Sequence, residues 1–361
     1  MLLKRVGYRN FRNIETALIC PGPDVTVLNG KNGQGKTNML EGIYIFARGK
    51  SFRTTHEEEL IMFGKNLAEI RLTYENAGVT NELSITLNRQ TKKRIFKKNG
   101  VPIGRSSEII GLFNAVLFCP QQMAIINGGP GERRQFLNIV LSMIDPVYLA
   151  SLQRYGKLLE QKNALIKSFI FGYSQNREQF DLTNGILISQ LAREWKLISE
   201  KRYDYTLNLN EIAGNIITDL AFGKEKLEIS YPVPKTVEDY ENELFEAADR
   251  EIKYGTTLCG AHREDMTVLL NGKNSRDYAS QGQQRSLLLA MKLAEGEILK
   301  LSTGHYPVFL LDDILSELDI DRRKYLLSEL KERQVIITSC DSIETSGKLY
   351  KVEAGATYEL S

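Results

Sequence analysis

Gly30-Lys31-Asn32-Gly33-Gln34-Gly35-Lys36-Thr37 is the stretch on which the reading of this chain turns. It fits the pattern of a glycine, four residues and then Gly-Lys-Ser/Thr. It stands between an apolar, strand-like segment at 25–28 and a helix-like segment at 37–47 with apolar residues on one side, the setting in which such a loop cradles phosphates. The glycines let the backbone turn its N–H groups inward, and the positive end of the following helix adds attraction for negative charge. Lys36 is then expected to reach the β- and γ-phosphates of ATP and Thr37 to bind Mg2+. Asn32, Gly33, Gln34, Gly35 and Asn38 complete the expected wrap. By itself the loop does not separate kinases, GTPases, helicases and ATP-binding-cassette (ABC) ATPases.

Working outward, 2–8 and 16–20 read as short strands, and Pro21-Gly22-Pro23 turns the chain into the strand before the loop. From 67 to 103 apolar and polar positions alternate, and Asn99-Gly100 sits where a type I′ hairpin turn belongs, so a β-rich lobe is expected over 65–105. Between 131 and 223 Pro146 is the only proline and helical spacing runs throughout, which predicts two or three long helices. A helix of about 40 residues would span roughly 60 Å, long enough for an arm. After Tyr231-Pro232-Val233-Pro234 come a further helical stretch and a strand at 266–270 with an Asn271-Gly272 turn. The chain then alternates helix 282–301, strand 308–311, helix 321–332 and strand 335–338. This is an α/β core resumed after an insertion: a head domain of 1–130 and 255–361, with a mainly helical arm of 131–254 inserted.

Composition narrows the function classes. A formal net charge of +2 on 361 residues excludes a histone-like, tail-driven mode of nucleic-acid binding, so any DNA contact must be a local patch. The cysteines Cys20, Cys119, Cys259 and Cys340 and the histidines His56, His262 and His305 are scattered, which argues against a zinc or redox cluster. Lys4, Arg5, Arg9 and Arg12 interrupt the apolar positions of the N-terminus. No apolar run reaches the roughly 18 residues of a bilayer span. A cytoplasmic protein without a membrane partner is the expectation.

Two further motifs choose among phosphate-loop classes. Val308-Phe309-Leu310-Leu311 leads into Asp312-Asp313, placing two carboxylates at the end of a buried strand, where unpaired charge is costly. Asp312 suits a Mg2+ partner, and Asp313 suits the orientation or deprotonation of an attacking water; a plain helix cap is the alternative. Upstream, Ser280-Gln281-Gly282-Gln283-Gln284 opens a long helix and makes a second phosphate-binding end. One nucleotide does not need two such ends from one chain. Two copies facing head to tail would bring them together around ATP.

The order of phosphate loop, Gln121 or Gln122 after an apolar strand, Ser-x-Gly-Gln-Gln, Asp-Asp and Ser316-Glu317-Leu318-Asp319 resembles the ABC ATPase heads. Within them it is similar to the RecF family of bacterial recombination mediators. The similar segments are Asn10-Phe11-Arg12-Asn13, Gly35-Lys36-Thr37-Asn38, Gly49-Lys50-Ser51-Phe52-Arg53, Gly260-Ala261-His262-Arg263, Ser280-Gln281-Gly282-Gln283-Gln284 and Leu311-Asp312-Asp313. The resemblance runs from residue 1 to about 340. It implies ATP contacts at Arg12, Gln121 and Gln122, with Gln121 near the metal, and a homodimer formed on ATP binding in which Ser280, Glu317 and Asp319 meet the partner. It further implies weak, DNA-stimulated ATP hydrolysis, double-stranded DNA near single-strand gaps as substrate, RecR as protein partner and RecA loading as outcome. Two departures stand out: Gln121-Gln122 replaces residues that are acidic in many members, and Thr338-Ser339-Cys340 lacks the histidine of transporter ATPases. The second points to slow hydrolysis.

For DNA the candidates are Lys92, Lys93, Arg94, Lys97 and Lys98, in a stretch from 89 to 105 without an acidic residue, together with Arg53, Arg133 and Arg134. Such a run is often only a protected strand edge; beside an ABC head, phosphate contact is the stronger reading. His262-Arg263-Glu264-Asp265 reads as a structural tie rather than acid–base machinery. The rival functions are a transporter ATPase subunit, a chromosome-organising head, for which no long heptad tether is present, and an ATP-gated DNA clamp with negligible turnover.

Overall fold

The computed structural model describes residues 1–172, 176–341 and 347–360. The chain divides into one unit of Met1–Met123 with Arg285–Ser361 and a second of Ala124–Gln284.

The first unit opens with β1 (Leu2–Phe11), β2 (Ile14–Ile19), β3 (Val25–Asn29) and α1 (Lys36–Arg48). Next come β4 (Leu67–Asn76), β5 (Val79–Asn88), β6 (Lys93–Lys98), β7 (Val101–Pro102) and β8 (Ala115–Phe118). An antiparallel sheet takes the order β2-β1-β4-β5-β6-β7. Its hairpins turn where sequence chemistry allows left-handed backbone: Asn99 and Gly100 have φ of 51° and 83°, as a type I′ turn requires.

The second unit carries α2 (Ala124–Asn127), α3 (Pro130–Ile144), α4 (Pro146–Ile170), α5 (Arg177–Leu220), β9 (Leu227–Ser230), α6 (Val237–Tyr254), β10 (Thr267–Leu270), β11 (Lys273–Asn274) and α7 (Ser275–Tyr278). At 44 residues, α5 spans about 66 Å, in line with the expected long helix. Pairing of β10 with β9, which periodicity alone does not predict, hydrogen-bonds 267–270 to 227–230. For this reason the unit extends to Gln284 rather than stopping at 254.

The core of the second unit contains polar groups. Arg202, 1% exposed, donates to the Tyr148 and Tyr231 hydroxyls, the Ala261 carbonyl and Asn138. Glu264 accepts from Trp195, Ser199 and Tyr231. The His262 ring accepts from the Tyr155 hydroxyl at 2.7 Å and faces the Thr257 carbonyl, and burial holds its pKa down at about 4. The cluster at 262–265 is therefore fastened into the arm, each group with a partner, as the structural reading holds. Lys162 and Glu251, both essentially without solvent contact, pair with each other between α4 and α6.

The chain returns to the first unit along α8 (Gln281–Thr303), within which the division between units falls. It continues through β12 (Val308–Asp312), α9 (Ile320–Glu329), β13 (Val335–Ser339), β14 (Lys348–Glu353) and β15 (Ala356–Leu360). The last two strands carry no motif that the sequence reading used. The second sheet runs β15-β14-β3-β13-β12-β8, parallel apart from the β14–β15 pair. Helix α1 touches both sheets: the Tyr8 hydroxyl on β1 donates to the Met39 carbonyl at 2.7 Å, and Gly42 leaves room where a Cβ would meet the Tyr8 ring at 2.6 Å. Buried Gln334 ties the sheets at their edge by accepting from the Leu3 amide and donating to the Leu3 and Gly22 carbonyls.

Removing one member of a buried ion pair strands the other. Lys162→Met should cost about 3–5 kcal/mol of stability, read from urea unfolding, and adding Glu251→Leu should restore most of it; an unchanged midpoint in the single variant would refute the pairing. His262 titrates lower in the fold than its ordinary 6.5, so the unfolded chain takes up a proton first as pH falls. The stability His262 contributes is intact above pH 6.5 and should drain away between there and about 4. His262→Gln should flatten the unfolding profile across that window.

Candidate functional site

Four parallel strands set out the site with their carboxyl ends. Strand β3 ends at Asn29 and releases the glycine loop; β13 ends at Ser339 and leads to Cys340; β12 ends in Asp312 and leads to Asp313; β8 leads through Cys119 to Gln121 and Gln122. In-register pairing puts Thr338 opposite both Leu28 and Asp312, and Phe118 opposite Leu311. The edge formed by strand ends is the usual binding edge of an open α/β sheet.

The centre of this edge is a carboxylate held by two hydroxyls. Thr37 at the start of α1 donates to Asp312 Oδ1 at 2.8 Å, and Thr338 donates to the same oxygen at 2.9 Å. Asp312 is 4% exposed, and burial raises its pKa, opposed by those two hydrogen bonds. Thr338 also accepts the Asp313 amide at 2.9 Å. The sequence reading gives this threonine no role; its signal is a hydroxyl at the end of an otherwise apolar strand. Asp313 has a φ of 51° and makes no side-chain capping bond, so the plain cap reading fails for it. Asp313 instead borders the loop cleft.

That cleft, about 220 Å3, is lined by residues 32–38, Arg53 and Asp313. Lys36 folds back, donating to the carbonyls of Gly30 at 2.6 Å and Lys31 at 3.1 Å and to Cys340 Sγ at 3.3 Å. Cys340 in turn donates to Asn32 Oδ1. Gly35 has a φ of 106°, and a Cβ there would meet Asn13 Oδ1 at 2.7 Å. Asn13 braces the loop through the Gly33 carbonyl and Asn38.

Several expected residues are placed otherwise. Arg12 sets its guanidinium bidentate on buried Glu41 at 3.0 and 2.8 Å and donates its remaining edge to the Glu59 carbonyl; it is a brace beside Asn13. Arg53, expected on a DNA surface, borders the loop cleft and donates to Asn38 Oδ1 at 2.6 Å. Arg133, 9% exposed, sets one guanidinium edge bidentate on Asp265 at 2.9 and 2.7 Å and donates its remaining nitrogen to the Gly128 carbonyl at 3.1 Å, so it is committed to protein acceptors. Arg134 donates to the Glu264 carbonyl. Because side chains alternate along β6, the basic run splits: Arg94, Phe96 and Lys98 share one face and Lys93, Ile95 and Lys97 the other. Phe96 meets Phe46 of α1, and Arg94 pairs with Glu57 and the Gly49 carbonyl, so that face looks inward. Lys93 and Lys97 remain on the outer face, and Lys92 pairs loosely with Glu58 at 3.4 Å.

At the start of α8, Ser280 and Gln283 form a reciprocal capping pair. Gln283 also reaches Glu225, and Gln284 is buried against the Ala279 carbonyl and Asn127. Ser280 and Gln281 are exposed. Asp319 caps α9 by accepting the Arg322 amide, and Glu317 faces Arg285 at 3.8 Å.

For a metal the donor set fits a weakly ligated hard cation. Among the described residues no cluster of three His, Cys, Asp or Glu could hold one, so a zinc-type site is absent there. Thr37 and Asp312 supply oxygens of the sort Mg2+ takes while keeping waters and substrate phosphates. Gln122 Oε1 is buried and lacks a hydrogen-bond partner, whereas Gln121 is exposed.

Sheet order, glycine loop and paired carboxylates define an ABC-type ATPase head of the kind found in structural-maintenance-of-chromosomes (SMC) proteins. The profile of the RecF/RecN/SMC N-terminal domain matches residues 2–356. The chain is 36% identical to a DNA replication and repair protein RecF of Lachnospira eligens, over 98% of both chains. It is equally similar to that of Shouchella clausii, over 100% of both. A solved structure of the recombination mediator RecF with ATP superposes with a TM-score of 0.92 at 32% identity, covering 100% of this chain and 98% of that one. An SMC head bound to the C-winged helix domain of ScpA gives 0.58 at 14% identity, over 100% and 97%, which is a likeness of fold alone. The chain belongs to the RecF family.

Proposed function

We propose that this chain binds ATP with Mg2+ at the glycine loop, closes head to tail with a second copy on double-stranded DNA near single-strand gaps, and reopens on slow hydrolysis. In recombinational repair and replication restart it would act as a mediator, with RecR as partner and RecA loading as outcome. The observation that carries the reading is the Thr37–Asp312 hydrogen bond, which joins the phosphate loop to the carboxylate strand. Its support is the ATP-bound RecF relative of nearly equal length. Against a transporter ATPase subunit stand the β-rich lobe with its basic run and the missing histidine at Thr338-Ser339-Cys340.

Each side chain has a task in this cycle. Lys36 leaves the carbonyls it now holds and turns to the β- and γ-phosphates. Thr37 and Asp312 would hold Mg2+, with Gln122 rather than exposed Gln121 offering its free oxygen nearby. When bound, the ion neutralises charge on the terminal phosphates. Asp313, not engaged in capping and bordering the cleft, orients the attacking water. Exposed Ser280 and Gln281 would complete the site of a second copy. Thr338-Ser339-Cys340 lacks the histidine with which transporter ATPases sense the γ-phosphate, and Cys340 donates to Asn32 instead, which favours slow hydrolysis.

Sedimentation with and without ATP and duplex DNA should show a dimer only when ATP is present, and Lys36→Arg should lose it. Asp313→Asn should keep the dimer and lower phosphate release by roughly 100-fold or more; normal turnover would remove Asp313 from its role. For DNA, the outer face of β6 is the contact we assign. Replacing Lys93 and Lys97 with alanine should weaken duplex binding and reduce the salt slope by about 2, at ~0.9 per phosphate, while the same change at Arg133 should act through stability alone.

A further inference from the structure

Helices α5 and α6 of the arm lie antiparallel: the Arg177 guanidinium donates to Asp249 Oδ1 at 2.8 Å, and a Cβ at Gly185 would meet the Phe245 ring at 3.9 Å. Along this seam three large apolar side chains stay in solvent. Leu182 is 66% exposed, Ile186 62% and Phe245 49%. Leu182 and Gly185 are three residues apart and Leu182 and Ile186 four, so they share one face of α5. With the Phe245 ring beside Gly185, the three side chains form one patch rather than scattered exposures. Contiguous apolar surface with a polar rim marks a contact site.

Gly185 makes the floor of this patch. It stands inside a 44-residue helix, where only proline is less favoured than glycine. Packing within the chain does not ask for it, since a Cβ would touch the Phe245 ring at ordinary van der Waals distance and nothing nearer. The bare backbone leaves a shallow seat between Leu182, Ile186 and Phe245 that a side chain from outside can fill.

The rim is acidic. Helix α6 carries seven carboxylates and two cations. Glu243 is taken by Lys235, Glu251 by Lys162 and Asp239 by the Thr236 cap. Glu238, Glu241 and Glu246 form no ion pair among the described residues. Glu241 lies one turn before Phe245 and Asp249 one turn after it, on the same strip of the helix. Across the seam a single guanidinium, that of Arg177, serves both Asp181 and Asp249, which leaves negative charge over there as well.

We infer that this face of the arm is a docking site for a basic amphipathic helix of a protein partner. Apolar residues one turn apart on that helix reach the seat at Gly185, and lysines or arginines on its flanks face Glu241, Glu246 and the Asp181–Asp249 pair. A helix with acidic flanks meets like charge and is turned away. None of these residues belongs to the phosphate-loop cleft or to β6, so the docking stands or falls apart from the nucleotide and DNA readings.

The test is fluorescence anisotropy of a labelled synthetic helix, with leucines one turn apart on one face and lysines beside them, titrated with the full chain. It should bind with a Kd on the order of 10 µM, and more weakly as salt rises. Phe245→Ser and Gly185→Gln should each weaken it about tenfold. Glu241→Lys with Glu246→Lys should weaken it and flatten its salt dependence. Phe245 is exposed and glutamine favours a helix over glycine, so circular dichroism should show unaltered folding in both single variants. Changing the lysines of the synthetic helix to glutamate, or its leucines to serine, should abolish binding. The docking is overturned if the lysine helix fails to bind the unaltered chain, or binds Phe245→Ser and Gly185→Gln as tightly. It is also overturned if the serine helix binds as well as the leucine helix, which is charge attraction alone. Sedimentation without ATP covers the remaining occupant: a dimer that Phe245→Ser dissolves would give the patch to a second copy instead.

Discussion

A buried carboxylate is the constraint on which the rest of the head depends. Asp312 sits at the end of an apolar strand with 4% exposure, and two threonine hydroxyls meet one of its oxygens. Left without partners, such a group would cost several kcal/mol. Thr37 lies on the first turn of α1 and Thr338 on β13, so satisfying Asp312 fixes the helix, the loop before it and the neighbouring strand relative to one another. The parallel register of β3, β13 and β12 follows the same requirement. A cation placed there gains a charge partner that burial has already made reluctant to stand alone.

Around this centre lies a shell of braces rather than ligands. Arg12 and Ser51 hold Glu41, which has no solvent contact, and Asn13 holds the loop through the Gly33 carbonyl and Asn38. Charged residues that a sequence offers as ligands are often spent in this way, because a buried charge needs a partner more urgently than a ligand does. The second unit repeats the principle with Arg202, Glu264 and the Lys162–Glu251 pair: a helical arm whose interior is specified by satisfied polar groups as well as by apolar packing.

The family membership agrees with this picture without replacing it. Curated RecF relatives share 36% identity across essentially the whole chain, so the head, the arm and their order belong to one inherited plan. At the edge of the site stand the Cys340 thiol beside Lys36 and Gln122 with its unpartnered oxygen.

The sequence by itself determined what is local and periodic. The glycine loop between strand and helix, the Asn-Gly hairpins, the long helices without interior proline and the Asp-Asp pair after four apolar residues were all legible, since each depends on spacing and backbone preference over a few residues. Only the tertiary structure decided which of these polar groups are free. Arg53 meets Asn38 at the cleft, Arg133 pairs with Asp265, and one basic run divides between two faces of β6. Thr338 gained its role only when β13 came to lie between β3 and β12. The physical reason is that a charge or hydroxyl is committed by whatever partner the fold brings within about 3 Å, and those partners lie here up to 339 residues away along the chain.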